Sequence, residues 1–132
     1  MIDKSNEIFT LIANRLRSEF KDIKVIGESI DVPSSFPTVT IDEVSNVPIH
    51  KDSKVLNDYA HVRYQAQVFT SGKSKRSDAR KIYGVLDEVL QELNFQCKMY
   101  STRPEVYNSQ IYQITSSYEA VVSRDGVIFR KN

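Results

Sequence analysis

Ala60-His61-Val62-Arg63-Tyr64-Gln65-Ala66-Gln67-Val68 alternates apolar and polar residues without interruption, and a strict period of two marks a strand with one buried face. Ala60, Val62, Tyr64, Ala66 and Val68 belong to the inward side, His61, Arg63, Gln65 and Gln67 to the outward side, and the run is expected to be central in its sheet. The period then changes. After a turn at Thr70-Ser71-Gly72-Lys73-Ser74-Lys75-Arg76, the residues Ala79, Ile82, Tyr83, Leu86, Val89, Leu90 and Leu93 recur at helical spacing, the strongest periodic signal in the chain. Ser74 or Ser77 can cap this helix, Asp78 suits its positive end, and Asn94 suits its C-terminus.

Working toward the N-terminus, Glu43 to Asp58 sustains neither period and reads as a long loop before the third strand. Connections of that length are usually functional or disordered, so it is a candidate for partner contact. Thr38 to Asp42 is β-branched and alternating, with Val39 and Ile41 inward, and the prolines of Pro33-Ser34-Ser35-Phe36-Pro37 break the chain before it. Lys24 to Glu28 is a short strand near an edge. Ile8, Leu11, Ile12, Leu16 and Phe20 predict a first helix, which Asp3 or Ser5 can cap.

Toward the C-terminus, Phe95 to Ser101 is predicted as a strand with Phe95, Cys97 and Met99 on alternate positions, ended by Arg103-Pro104. Gln110 to Ser123 alternates, with Tyr112, Ile114, Ser116, Tyr118, Ala120 and Val122 on one side and Gln113, Thr115, Ser117 and Glu119 on the other. Arg124-Asp125-Gly126 predicts a tight type I′ turn into a last strand, Val127 to Lys131. The order α-β-β-β-α-β-β-β argues for an α+β fold: a mostly antiparallel mixed sheet, two main helices on one face, and a C-terminal β-hairpin. Residues 1–132 are expected to form a single α+β domain, in keeping with their length.

Composition narrows the function classes. Eighteen basic and seventeen acidic residues leave a net charge of +1, so nothing global attracts the chain to nucleic acid or to a membrane. Its longest apolar runs, such as Leu11 to Ala13, are far shorter than the roughly 20 residues of a spanning helix. Met1 to Glu7 has no apolar core of a secretory signal, and a single cysteine, Cys97, suits a reducing compartment.

Chemistry-bearing motifs are sparse. Gly72-Lys73-Ser74 stands where a phosphate loop would, but Gln67 occupies the position of the required first glycine, so a turn with a helix cap is the better reading. Lys73, Lys75, Arg76, Arg80 and Lys81 against Asp78 form the one charge cluster, either a solvated helix start or a patch that meets an acidic neighbour. His50 and His61 have no cysteine or histidine at ligand spacing, so no metal is expected and both read as surface residues. Cys97 reads as a small half-buried side chain. The adjacent acids Asp42-Glu43 and Asp87-Glu88 do not make an acid–base couple. Tyr100, Tyr107, Tyr112 and Tyr118 read as core or interface rather than base-stacking residues, because no basic ladder accompanies them. No catalytic residue, cofactor or metal is expected, and an assembly or binding role follows.

The N-terminal helix, the Phe36-Pro37-Thr38-Val39-Thr40-Ile41 strand, Tyr64-Gln65-Ala66-Gln67-Val68-Phe69, the helix ending in Asn94-Phe95, and Tyr118-Glu119-Ala120-Val121-Val122 before Asp125-Gly126-Val127-Ile128-Phe129-Arg130 together resemble the tail terminator (tail completion, tail-to-head joining) proteins of long-tailed bacteriophages and prophages. The resemblance covers nearly the whole chain and is one of architecture and weak sequence pattern. It implies a non-enzymatic virion protein, made in the host cytoplasm, that forms a homohexameric ring on the head-proximal end of the tail tube. Such a ring stops tube growth and offers a surface to the head connector, while DNA passes through its lumen without sequence-specific binding.

Expected partners are therefore other copies of the chain, the tail tube protein and a head-completion protein, with no membrane. Val47, His50, Lys51 and Lys54 of the long loop, with Arg124, Asp125 and Arg130 of the hairpin, are expected to reach the tube or connector, and the polar face of the third strand to pack between subunits. Lys73, Lys75 and Arg76 are expected at a subunit or connector contact. Another neck or minor tail component, or a small nucleic-acid-binding module, are the alternatives. A mild asymmetry suits self-packing: residues 1–66 carry a net −2 and residues 67–132 a net +3.

Overall fold

The computed structural model describes residues 2–49, 59–104 and 110–129. Helix α1 (Ser5–Glu19) leads into strands β1 (Lys24–Ile26), β2 (Thr38–Ile49) and β3 (Tyr59–Ser71); helix α2 (Lys75–Glu92) is followed by β4 (Gln96–Pro104), β5 (Ile111–Ser123) and β6 (Ile128–Phe129). The six strands form one sheet in the order β1-β2-β3-β5-β4, with β6 on β5. Only β1 and β2 run parallel. This is the expected α+β architecture, with β3 central and β1 at an edge.

Both helices lay their apolar stripes into one core. Ile8, Ile12, Ala13 and Leu16 of α1, and Ala79, Ile82, Leu86, Val89 and Leu90 of α2, pack with Val62, Tyr64, Val68, Ile114, Tyr118 and Val122 of the sheet. Leu11 departs from the expected stripe. Ala13 takes a buried place and Leu11 is 52% exposed, because positions 8, 12 and 16 repeat every four residues and rotate position 11 off the seam. At the end of α2, Asn94 adopts a positive φ of 67°, the Phe95 N–H reaches the Leu90 carbonyl and the Asn94 N–H that of Gln91, which makes a Schellman cap around the residue expected to end the helix.

A buried polar latch holds α2 to the sheet. The Tyr118 hydroxyl donates to Asp87 Oδ1 and accepts from the Tyr83 hydroxyl at 2.6 Å. Burial, then the neighbouring Asp87 carboxylate, raise the Tyr118 hydroxyl far above its ordinary value, so the phenol stays protonated and keeps donating.

Among the described residues, the opposite face of the sheet, the back face below, is covered at one end only. Residues 27–37 connect β1 to β2 across it, and Gln67 ties them down: its Oε1 accepts from the Ile30 N–H and the Thr40 hydroxyl, and its Nε2 donates to the Ile30 carbonyl. The side-chain amide thus pairs with Ile30 as a strand backbone would. Thr38, Thr40, Gln67 and Phe69 are buried beneath this segment, so both faces of the sheet are dry here and outward positions that read as polar are core.

Strand β2 is longer than expected. Glu43 to Ile49, read as loop, continue the strand and pair with β3 as far as Ile49↔Tyr59. A bulge between Glu43 and Ser45 breaks the alternation, and Pro48 is tolerated because β1 covers only Thr38–Thr40 on the outer side of β2. Similarly, a register shift between Cys97 and Met99 turns Met99 out to 48% exposure and ends the expected alternation in β4. The Arg124–Gly126 hairpin forms as expected but by another turn. Only Gly126 has positive φ (87°), and its N–H bonds the Ser123 carbonyl, whereas type I′ needs positive φ at two central residues.

These packing assignments give three expected outcomes in urea unfolding. Leu86→Ala should cost about 2–5 kcal/mol, whereas Leu11→Ala should stay within about 0.5 kcal/mol. Tyr118→Phe, which removes the hydroxyl that bridges Asp87 and Tyr83 and leaves them the longer contacts to Gln91 and Cys97, should cost about 1–3 kcal/mol.

Candidate assembly surface

Past the Gln67 tether no described segment covers the back face of the sheet, and register decides which side chains meet there. Val47 pairs with His61, His61 with Val121 and Val121 with Phe129, so one row crosses β2, β3, β5 and β6. The next row toward the strand ends is Ile49, Tyr59 and Ser123. Ile49, Tyr59, Val121 and Phe129 line a shallow depression of about 310 Å³, in which the Tyr59 and Phe129 rings meet edge to face at 6.3 Å. Val47 and Phe129 are 52% and 46% exposed. An apolar row of this kind on an uncovered sheet is a characteristic contact surface.

Beside the row stands a buried carboxylate. Glu119, 5% exposed, accepts from Arg63 Nε at 3.1 Å and from the terminal guanidinium nitrogen at 2.7 Å, while His61 Nε2 lies 3.5 Å from its other oxygen. The Arg63 guanidinium bonded to it holds the Glu119 carboxyl below the ordinary value of 4.5, against the opposing effect of burial. Gln96, opposite Glu119 in β4, keeps Oε1 buried with no hydrogen-bond partner among the described residues. The arrangement makes an ionic cluster across β3 and β5, and Arg63 remains half exposed.

The expected contact residues separate into two groups. Val47 falls within the apolar row, on a strand rather than in a loop. Arg124 and Asp125, both exposed, occupy the hairpin turn that joins β5 to β6 at the same end of the sheet. Lys73, Lys75 and Arg76 lie at the other end, on the turn after β3 and the first turn of α2. The thirteen residues of β3 separate the two ends by about 40 Å at 3.3 Å per residue. There Lys73, Ser74, Arg76, Ser77, Arg80 and Lys81 surround an open depression of about 670 Å³. His50, Lys51, Lys54 and Arg130 lie outside the described residues, as does Tyr107.

His61, expected to be an ordinary surface residue, is instead part of the ionic cluster. Its partners Arg63 and Glu119 were missed because they lie 56 residues apart and meet only through β3–β5 register. The visible signal was a glutamate on the polar side of one strand and a cation at alternate positions of another. Tyr112 and Tyr118 are core, as expected, while Tyr100 is 46% exposed against Tyr83. Among the described residues no group of three metal-ligating side chains comes together.

The sequence matches no protein-family model and no curated protein. The fold, however, is similar to that of a chain in the virion of a native gene transfer agent particle: the TM-score is 0.61 at 12% identity, over 86% of this chain and 92% of that one. The similarity is one of fold.

The ion pair sets a pH dependence whose sign follows from the lowered Glu119 value. Its contribution should be complete above the ordinary carboxyl value of 4.5 and be lost as pH falls below it through the folded value. In urea unfolding, wild type should therefore exceed Glu119→Gln in stability near neutral pH, and the gap should close as the pH is taken well below 4.5. A gap that does not change with pH would contradict the assignment.

Proposed function

We propose that this protein is a structural component of a phage-like virion. In the finer reading it forms a ring on the head-proximal end of the tail tube, ends tube growth and provides the surface on which the head connector joins. The observation that carries the proposal is the fold shared with a gene transfer agent virion chain over nearly the full length of both.

The surface described above supports a role in assembly. Val47, Phe129 and the half-buried Ile49, Tyr59 and Val121 form an apolar row with a polar rim, the composition of a protein contact. The hairpin turn at Arg124 and Asp125 and the far end of β2 lie at one end of the sheet, where they can meet a tube or connector together. The basic turn at Lys73, Lys75 and Arg76 lies at the other, so one subunit offers distinct surfaces to distinct neighbours.

Negative-stain microscopy of the purified protein, alone and mixed with tail tube protein, tests this reading. Rings, or single caps on tube ends, are expected, and a Val47→Asp variant should fold normally yet give few of either. The reading fails if the wild-type protein neither forms rings nor binds tube ends. A host carrying the phage without this protein should make overlong tails; normal-length tails that do not join heads would point instead to another neck component.

A further inference from the structure

Two surfaces of opposite charge are left without ionic partners among the described residues. The first is a groove of about 480 Å³ between the N-terminal turn of α1 and the outer edge of β2, lined by Phe9, Gly27, Ile41 and Val44 with the carboxylates of Asp3, Asp42 and Glu43. Among the described residues Asp3 accepts from Ser5, Asp42 from the Ser29 N–H and Glu43 from the Tyr64 hydroxyl, and no cation lines the groove. The second is the depression at the start of α2, where Lys73, Arg76, Arg80 and Lys81, with Lys75 beside them, make no ion pair among the described residues.

We propose that the basic start of α2 in one copy docks into the acidic groove of the next copy, a head-to-tail contact between two copies of this chain. The proposal rests on the self-assembling role above and names the surfaces that carry it. The groove is part apolar and carries three carboxylates, and the surface that complements it is present on every copy. The two patches occupy different places, one beside the bulge of β2 and one past the end of β3, so a contact that is not two-fold leaves each copy a second patch for a further copy. Joining unlike patches is a heterologous contact, which produces rings when its rotation closes. A nucleic-acid partner is disfavoured because no aromatic side chain lines the basic depression to stack a base.

Charge reversal in both directions tests the contact. Asp42→Lys/Glu43→Lys and Arg76→Glu/Arg80→Glu should each remain folded by circular dichroism, and each alone should self-associate at least about tenfold more weakly than wild type in sedimentation, since like charges then face each other. Mixed in equal amounts, the two should regain wild-type association, because every contact between one variant and the other pairs opposite charges again. Asp3→Lys/Asp42→Lys, which leaves the Glu43–Tyr64 bond intact, should behave as the first variant and guards against a folding defect.

The contact is overturned if either reversed variant associates as tightly as wild type, or if the mixture fails to recover. It is equally overturned if Arg76→Glu/Arg80→Glu loses salt-dependent binding to duplex DNA while its self-association is unchanged, which would assign the patch to phosphate. Wild-type rings that persist in both variants remove this contact and leave the ring reading standing. A wild-type protein that stays monomeric, alone and with tube protein, removes both.

Discussion

The antiparallel ladder between β3 and β5 is the constraint on which the rest of the molecule depends. It pairs the two strands without a slip from Tyr59↔Ser123 to Ser71↔Ile111. In a ladder with a side-chain period of two, a shift of one residue would turn the inward set of the shifted strand, Tyr64 and Val68 in β3 or Ile114 and Tyr118 in β5, out of the core together. The same register that seats Tyr64 beside Tyr118 under the helices sets Arg63 opposite Glu119 on the other face. Core and ionic cluster are thus two consequences of a single alignment, and neither can move without the other. The bulges fall outside this ladder, in β2 and β4.

The sheet divides along its length into a part dry on both faces and a part dry on one. Where residues 27–37 cross, Thr38, Thr40 and Gln67 are buried, and the Gln67 amide satisfies both the N–H and the carbonyl of Ile30. Burying these polar groups unpaired would be costly; paired, they let a segment without regular structure act as a second layer. Farther along the strands no such cover is present among the described residues. Glu119 is kept ionised there by Arg63, and apolar side chains meet solvent.

Much of this was legible in the sequence. The alternation of β3 and β5 and the helical stripe of α2 named their buried faces nearly residue for residue, because burial on one side writes a clean period into the chain. The second half of β2 was hidden by two local events, an extra residue at the bulge and Pro48 on an outer edge, each of which imitates a loop signal. Leu11 was misplaced because a helix stripe read from spacing alone cannot tell a seam at positions 8, 12 and 16 from one that includes position 11. The Arg63–Glu119–His61 cluster and the Gln67 tether depend on which strands become neighbours. Pairing is decided by the whole fold, so no local pattern could reveal it. The basic cluster at Lys73, Lys75 and Arg76 was plain in the sequence, whereas its acidic counterpart was not: Asp3 and Asp42–Glu43 become one groove only when α1 lies beside β2.

The outer margins of the sheet carry a further consequence. Strand β1 is only three residues long, the open stretch of β2 is bent by a bulge and interrupted by Pro48, and β4 has its own bulge where Lys98 is inserted. Short strands, bulges, proline and lysine at an edge all frustrate the addition of a foreign strand. A chain so bordered resists the open-ended stacking by which exposed sheets grow into fibres. Growth by main-chain hydrogen bonding is disfavoured, which leaves contact between chains to side-chain surfaces.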